Sequence, residues 1–199
     1  MASQVEIFNR AAVLLGERRV SGPSDDTKVA REMSAVWDTT RQGLLRSHNW
    51  SFAMARALLA PLSTPPTSGF TNRFQLPAGF MRLYRVADYF VGLPTQGLWV
   101  GGEDPYTIEG RTILCDLANP LSIVYVEDIT DPTKFDALFT TAIAAQLALD
   151  TAATLTASES AYDKAERALA RSLASARATN AIERPPQRLS DGTWLSSRY

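Results

Sequence analysis

The chain has 199 residues, enough for one domain or for a body with one inserted subdomain. Its 20 basic and 21 acidic residues leave a formal net charge of −1, which excludes the basic excess that general nucleic-acid binding requires. The single cysteine, Cys115, excludes an intrachain disulfide and a cysteine zinc site, and its apolar neighbours predict a buried thiol.

The first segment, about 3–15, is predicted to be a helix. Ser3 and Glu6 fit a capping box, in which a hydroxyl and a carboxylate each accept from an otherwise free amide group. Gly16 supplies a C-terminal stop. Apolar residues at helical spacing predict one buried face, made of Val5, Phe8, Ala12 and Leu15.

A second helix is predicted over about 25–48. Residues 23–26 place oxygen acceptors and negative charge where free N–H groups and the positive end of the helix dipole would lie. The apolar spacing that follows predicts a core-facing stripe or, alternatively, a groove for a partner. The stripe consists of Val29, Met33, Val36, Trp37, Thr40, Leu44 and Leu45.

A strand-rich stretch follows over about 50–128. Trp50, Phe52 and Met54 alternate with small or polar residues, which predicts a strand. The prolines of 61–69 predict an exposed loop, and residues 109–110 predict a tight hairpin turn. One further strand is predicted to end at 74–77. The others are predicted over 81–86, 99–100, 106–108, 112–114 and 122–126.

Two more helices are predicted over about 132–155 and 157–179. Asp131 and Pro132 open the first of them, because a proline at the first helical position loses no helical hydrogen bond. Residues 156–159 form a second capping box. The buried faces are predicted at Phe135, Leu138, Phe139, Ile143 and Leu147, and at Tyr162, Ala165, Leu169, Ser172 and Leu173.

These elements predict an α+β fold. Its body is a four-helix bundle formed by residues 1–49 and 130–180, with two N-terminal and two C-terminal helices. A small antiparallel β subdomain, residues 50–129, is inserted between the two pairs. An extended C-terminal arm, residues 181–199, follows the last helix.

Two surfaces are candidates for contact with other molecules. On the last helix, Lys164, Arg167 and Arg171 form either a solvated face or an intersubunit contact. The arm is either a frayed tail or a docking segment, since Trp, Tyr and Arg are enriched at interface hot spots. Its candidate contact residues are Arg184, Arg188, Leu189, Trp194, Leu195, Arg198 and Tyr199.

The sequence offers little support for an enzyme. His48 is the only histidine, so no multi-histidine metal site exists, and its place at a helix C-terminus suits a capping role. The acidic pairs at 25–26, 103–104 and 127–128 are of a kind common in loops and at helix starts. We therefore expect no catalytic residue, no cofactor and no metal.

Membrane insertion is also not expected. No apolar run approaches the roughly 20 residues that span a bilayer, and the N-terminus lacks the order of a signal peptide. These features favour synthesis and assembly in a cytoplasm.

Several segments inside this framework resemble the head-to-tail adaptor proteins of short-tailed bacteriophages, the tail tubular protein A family. The likeness covers about residues 3–175 and rests on the order and spacing of its motifs. One of them, at 74–83, follows the family pattern Leu-Pro, two residues, a hydrophobic residue, any residue, Arg and a hydrophobic residue. The sequence departs at Ala53, where a related adaptor has Asn. The resembling segments are 12–17, 45–52, 74–83, 106–110, 125–132 and 135–139.

The resemblance implies a structural protein of the virion tail or neck. It would form a ring of twelve copies that binds the portal protein and presents a surface to a tail nozzle or other distal tail protein. Double-stranded DNA would pass through the lumen without specific binding. The arm residues named above would reach the portal protein, and Pro65, Pro66 and Phe70 of the insert would face the tail-side partner.

Two other functions are considered. A nucleic-acid-binding module would use the basic last helix through Lys164, Arg167, Arg171 and Arg177. A small tail-associated hydrolase would use one of the acidic pairs.

Overall fold

The computed structural model describes residues 2–87, 89–90, 106–117, 119–156 and 158–183. In these residues the chain forms helices and strands in the predicted order. The helices are α1 (Gln4–Leu15), α2 (Lys28–Ser47), α3 (Ala137–Leu155) and α4 (Glu159–Ile182), with short 3-10 turns at Ser51–Ala53 and Pro132–Lys134. The strands are β1 (Met54–Leu59), β2 (Asn72–Gln75), β3 (Phe80–Val86), β4 (Tyr89–Phe90), β5 (Tyr106–Glu109), β6 (Thr112–Cys115) and β7 (Leu121–Glu127).

The strands form two antiparallel sheets, and the predicted α+β class is confirmed. One sheet has the order β1-β7-β3-β4, and the other has the order β2-β6-β5. The β5–β6 hairpin turns at Gly110, whose φ of 58° lies in the left-handed region that glycine tolerates. The predicted strand at 99–100 lies outside the described residues.

Buried side chains form two hydrophobic clusters. The first joins all four helices and includes Phe8, Met33, Trp50 and Phe139. The second lies between the strands of the insert and includes Cys115, so the predicted burial of that thiol is confirmed. Burial raises the pKa of the Cys115 thiol, because the charged thiolate is poorly solvated there.

The start of α1 agrees with half of the predicted capping box. The Ser3 hydroxyl accepts from the amide of Glu6 at 3.2 Å. The Glu6 carboxylate instead pairs with Arg10 at 3.0 Å, four residues along the same face. The helix ends as predicted at Gly16, whose φ is 77°.

The predicted start of α2 at 23–26 is wrong. Thr27 caps the helix, and its hydroxyl accepts from the amide of Ala30 at 3.2 Å. Asp25 is used in the preceding turn, where it accepts from the amide and hydroxyl of Ser21 at 2.6 and 2.9 Å. Both bonds lower the pKa of Asp25. A short acidic side chain that bonds to nearby backbone competes with helix formation.

The predicted strand at Trp50 and Phe52 is also wrong. A 3-10 turn covers Ser51–Ala53, and β1 begins only at Met54. Both aromatic side chains pack edge-on against Phe139 of α3, with ring centroids 5.1 and 4.9 Å apart. Packing against the helical body therefore overrides the local alternation.

The entry to α3 differs from the predicted one as well. Pro132 opens the 3-10 turn Pro132–Lys134 rather than the helix, and Phe135 is extended between them. Asp136 caps α3 by accepting from the amides of Leu138 and Phe139 at 2.8 and 3.3 Å. Phe135 thereby reaches the first hydrophobic cluster before the helix starts.

The last helix shows three differences. The predicted capping box at 156–159 is wrong: Ser158 is the N-cap, it makes no side-chain cap, and its hydroxyl lies 3.0 Å from that of Ser160. Tyr162, predicted to face inward, is 45% exposed, since the buried face is set by Ala161 and Ala165. The helix continues to Ile182, beyond the predicted end at 179 and into the first residues of the predicted arm.

Helix α3 is apolar and long. By length and composition it meets the threshold for crossing a bilayer, contrary to the expectation from sequence that no stretch approaches it. Over half of its apolar window is buried by the rest of the chain, which is the environment of a core helix. The small side chains of Ala142, Ala144, Ala145 and Ala148 let the neighbouring helices approach closely.

Candidate functional site

The C-terminal end of α4 is fixed by one buried amide side chain. Asn180 Oδ1 accepts from the amide and the hydroxyl of Ser51 at 2.7 and 2.8 Å. Its Nδ2 donates to the carbonyl of Asn49 at 2.8 Å and lies 3.1 Å from His48 Nε2. All four bonds go to the link between α2 and β1. The origin of the C-terminal arm is therefore held against the helical body.

Trp50 lies beneath this junction and is 2% exposed. Its indole N–H donates to the carbonyl of Leu44 at 2.9 Å. Its ring meets those of His48 and Phe139 edge-on, at centroid distances of 4.9 and 5.1 Å. His48 stands at the C-cap of α2, as its position in the sequence predicts.

The candidate portal-binding residues all belong to the arm. They lie outside the described residues: Arg184, Arg188, Leu189, Trp194, Leu195, Arg198 and Tyr199. The described chain ends just before them, where Ile182 is 84% exposed. The sequence does not predict this exposed isoleucine, because its helical pattern ends before residue 182.

A basic ridge runs along the outer face of α4. We define it as Lys164, Arg167 and Arg171, whose spacing of three and four residues places them on one helix face. All three are exposed, and none pairs with a carboxylate among the described residues. Tyr162 is exposed on the same helix. That the ridge contacts a second subunit stays a prediction.

A groove of about 710 Å³ lies between α1 and α3. We call it the α1 groove. Val5, Val13 and Ala144 supply apolar walls, and Arg10 crosses it to donate to the hydroxyl of Thr141 at 3.2 Å. Val13 is 57% exposed. The apolar spacing of α1 does not indicate this groove, because Val13 lies off the predicted buried face of the helix.

The candidate tail-side residues lie in the loop between β1 and β2. Pro65 is exposed, and Pro66 and Phe70 are half-buried. The loop is closed at its end by Asp116, which accepts from the amide of Thr71 at 2.6 Å and has its pKa lowered by that contact. Two exposed leucines flank the start of the loop and were not predicted: Leu58 and Leu62.

A buried arginine joins the helical body to the insert. Arg41 of α2 is 2% exposed, bonds to Asp128, and donates to the carbonyl of Ile129 at 2.9 Å. It also pairs with Asp38 at 3.1 Å. Asp128 follows β7, so this contact fixes the exit of the insert on α2. The sequence gives no signal for it beyond a charge inside an apolar stripe.

The described acidic pairs serve local structure. Asp25 closes a turn, Asp26 pairs with Arg31 at 2.7 Å, and Asp128 is taken by Arg41. Within the described part of the chain, no group of three or more His, Cys, Asp or Glu side chains could hold a metal ion. The pair at 103–104 lies outside that part.

Comparison with protein-family models and with curated proteins finds no match to this chain.

Proposed function

We propose that this chain is a structural head-to-tail adaptor of a bacteriophage. Twelve copies form a ring in the neck of the virion that joins the portal protein to the next tail component. The observation that carries this proposal is the order of elements: a helix pair, a β insert, a second helix pair, and an arm that starts at a fixed helix end.

The resembling segments support the proposal by where they lie. The segment 45–52 joins α2 to β1 and supplies all four groups that bond Asn180. The segment 125–132 closes the insert and contains Asp128, the partner of Arg41. Two of the six resembling segments therefore lie where the insert and the arm are attached to the body.

In this proposal the arm binds the portal protein. Its base at Ile182 is fixed through Asn180, so ordering the arm on a partner need not move the body. A segment that folds on binding incurs its ordering entropy only when the partner is present. The aromatic and arginine residues of 184–199 suit such contacts.

A closed ring requires two different surfaces on each subunit, because head-to-tail contacts are heterologous. The basic ridge on α4 and the α1 groove are two such surfaces. The ridge supplies long cationic side chains, and the groove supplies apolar walls with the Glu6–Arg10 pair at its edge. We assign the intersubunit contact to these two faces.

The DNA that passes through the ring is not gripped. A net charge of −1 gives little overall attraction to phosphate, and a strongly basic channel would slow release of the genome. The β insert then faces the distal tail protein through the β1–β2 loop.

Light scattering of the purified chain, alone and with the portal protein of the same phage, tests this function. We expect a species of about 21.8 kDa to assemble into about twelve copies per portal ring. Assembly without portal would also support a ring, provided that the ring then binds portal. A chain that stays monomeric and ignores portal would contradict the proposal.

The exposed basic ridge also supports a second candidate, a nucleic-acid-binding module. Lys164, Arg167 and Arg171 would then contact phosphates, and affinity would fall steeply with salt. A mobility shift of duplex DNA that is lost in Arg167→Gln would favour this candidate. We expect no shift at submicromolar protein.

A further inference from the structure

A pocket of about 370 Å³ lies where the end of α2 meets β3 and the β5–β6 hairpin. Three arginines from three elements line it: Arg46 from α2, Arg82 from β3 and Arg111 from the hairpin turn. None of the described residues that line it carries a carboxylate. We call it the arginine pocket.

Neutral oxygens hold all three guanidinium groups. No carboxylate among the described residues lies within ion-pair distance of them. A guanidinium has five N–H donors, so the bonds observed leave donors available in each. The acceptors are Met81 O for Arg46 (2.5 Å), Pro77 O and Ala78 O for Arg111 (2.6 and 3.0 Å), and Asn49 Oδ1 for Arg82.

No carboxylate of the described residues compensates the positive charge in the pocket. Burial, and then the nearby charge of Arg46, lower the pKa of the Arg82 guanidinium. The Nε–H of Arg82 is also buried without an acceptor. Repulsion between like charges and an unsatisfied buried donor both cost free energy. An anion seated between the arginines would relieve the repulsion.

The walls of the pocket favour one kind of anion. Leu76, Phe80 and Ile108 supply apolar surface beside the guanidinium groups. A nucleic-acid backbone is uniformly charged and is bound by extended basic surfaces, whereas this chain has 20 basic against 21 acidic residues. An acidic side chain next to an apolar one matches both the charge and the walls.

We propose that the arginine pocket binds an acidic segment of a partner protein. A carboxylate lies between Arg46, Arg82 and Arg111, and a neighbouring apolar side chain packs against Phe80 and Ile108. The pocket is a contact surface separate from the β1–β2 loop. It goes beyond the proposed function, since it depends neither on a ring nor on a portal partner.

Fluorescence anisotropy of a short labelled peptide, titrated with the full chain, tests this proposal. The probe alternates glutamate with leucine, and its matched control replaces every glutamate by glutamine. We expect the glutamate peptide to bind about tenfold or more tightly than the control, because charge-assisted bonds to guanidinium provide such a factor. Equal affinities would overturn the proposal.

Three variants locate the binding. Arg46→Gln and Arg111→Gln each remove one charge from the pocket, and Arg56→Gln removes one from an exposed position of β1 outside it. We expect about tenfold weaker binding in each pocket variant and no change in Arg56→Gln. Equal weakening in all three would mean general charge attraction and would contradict a specific pocket.

Two further measurements keep the result unambiguous. Arg46 and Arg111 are exposed, so Arg46→Gln and Arg111→Gln should melt near the wild-type temperature. Arg82→Lys tests the third arginine of the pocket while keeping its positive charge. A labelled DNA duplex serves as the competing ligand. If the duplex binds with the same dependence on Arg46 and Arg111 and the glutamate peptide does not, the pocket is a phosphate site and the proposal is wrong.

Discussion

Trp50 shows how one side chain can serve two parts of the molecule. Its indole lies in the first hydrophobic cluster, and its backbone belongs to the link that Asn180 holds. The indole N–H is satisfied by Leu44, so the ring is buried without an unpaired donor. The residue therefore connects packing in the body with the position of the α4 end.

We expect Trp50→Ala to lower the free energy of unfolding by roughly 3–5 kcal/mol, because it leaves a large cavity beside Phe139. Trp50→Phe should cost less, since it keeps an aromatic ring and loses only the bond to Leu44. Chemical denaturation of both variants measures the difference. An unchanged midpoint in Trp50→Ala would contradict the packing described for this residue.

Cys115 provides a second prediction at this scale. Its thiol is buried in the insert and its pKa is raised, so the reactive thiolate is scarce at neutral pH in the folded protein. We expect maleimide labelling to be slower by on the order of a hundredfold or more than in the unfolded chain. Mass spectrometry over time measures it. Rapid labelling without denaturant would show that the second cluster opens readily.

At the scale of elements, the start of α2 depends on which residue supplies the oxygen acceptor that caps the helix. Thr27→Ala should cost roughly 1 kcal/mol, because the Ala30 amide loses its partner. Ser24→Ala, the position favoured by the sequence pattern, should change the stability by less than about 0.5 kcal/mol. Thermal melting of both variants tests this assignment. A larger loss of stability in Ser24→Ala than in Thr27→Ala would mean that the helix starts earlier, as the sequence predicts.

The connection between body and insert rests on Arg41. Arg41→Met should lower the free energy of unfolding by roughly 3 kcal/mol, because it leaves the Asp128 carboxylate partly buried without its partner. The matched control on the same helix is Arg31→Met, whose pair with Asp26 is exposed and should contribute less than about 1 kcal/mol. Urea denaturation compares them. Similar losses in both would mean that burial of Arg41 does not matter.

The elements could largely be predicted from the sequence because their signals are local. The cap at Ser3, the stop at Gly16 and the turn at Gly110 each depend on residues within a few positions. The start of α2 could not be predicted in this way. Several oxygen acceptors compete there, and the outcome depends on Ser21.

Contacts between distant segments could not be predicted from local pattern. Trp50 and Phe52 alternate as in a strand, yet Phe139, far along the chain, determines their place. The arginine pocket combines residues from 46, 82 and 111, which no motif links. The exposed position of Tyr162 follows from packing of small residues between α3 and α4. These features require the tertiary structure.

At the scale of the whole molecule, the arm and the body should be separable. Deletion of 187–199 should abolish binding to portal protein while the melting temperature stays within a few degrees of the wild type, because the described members of the first cluster already join all four helices without it. Surface immobilisation of portal with injection of each form measures this. Normal binding by the truncated chain would contradict the assignment of the arm.

The insert leaves and re-enters the body through two neighbouring strands. Met54 at the start of β1 pairs with Val126 near the end of β7, so the two crossing points lie side by side. Insertions or deletions between these two points need not change the separation at which the chain leaves and re-enters the body. In the adaptor that we propose, exchange of this segment alone would change the surface offered to the distal partner and leave the two helix pairs in place.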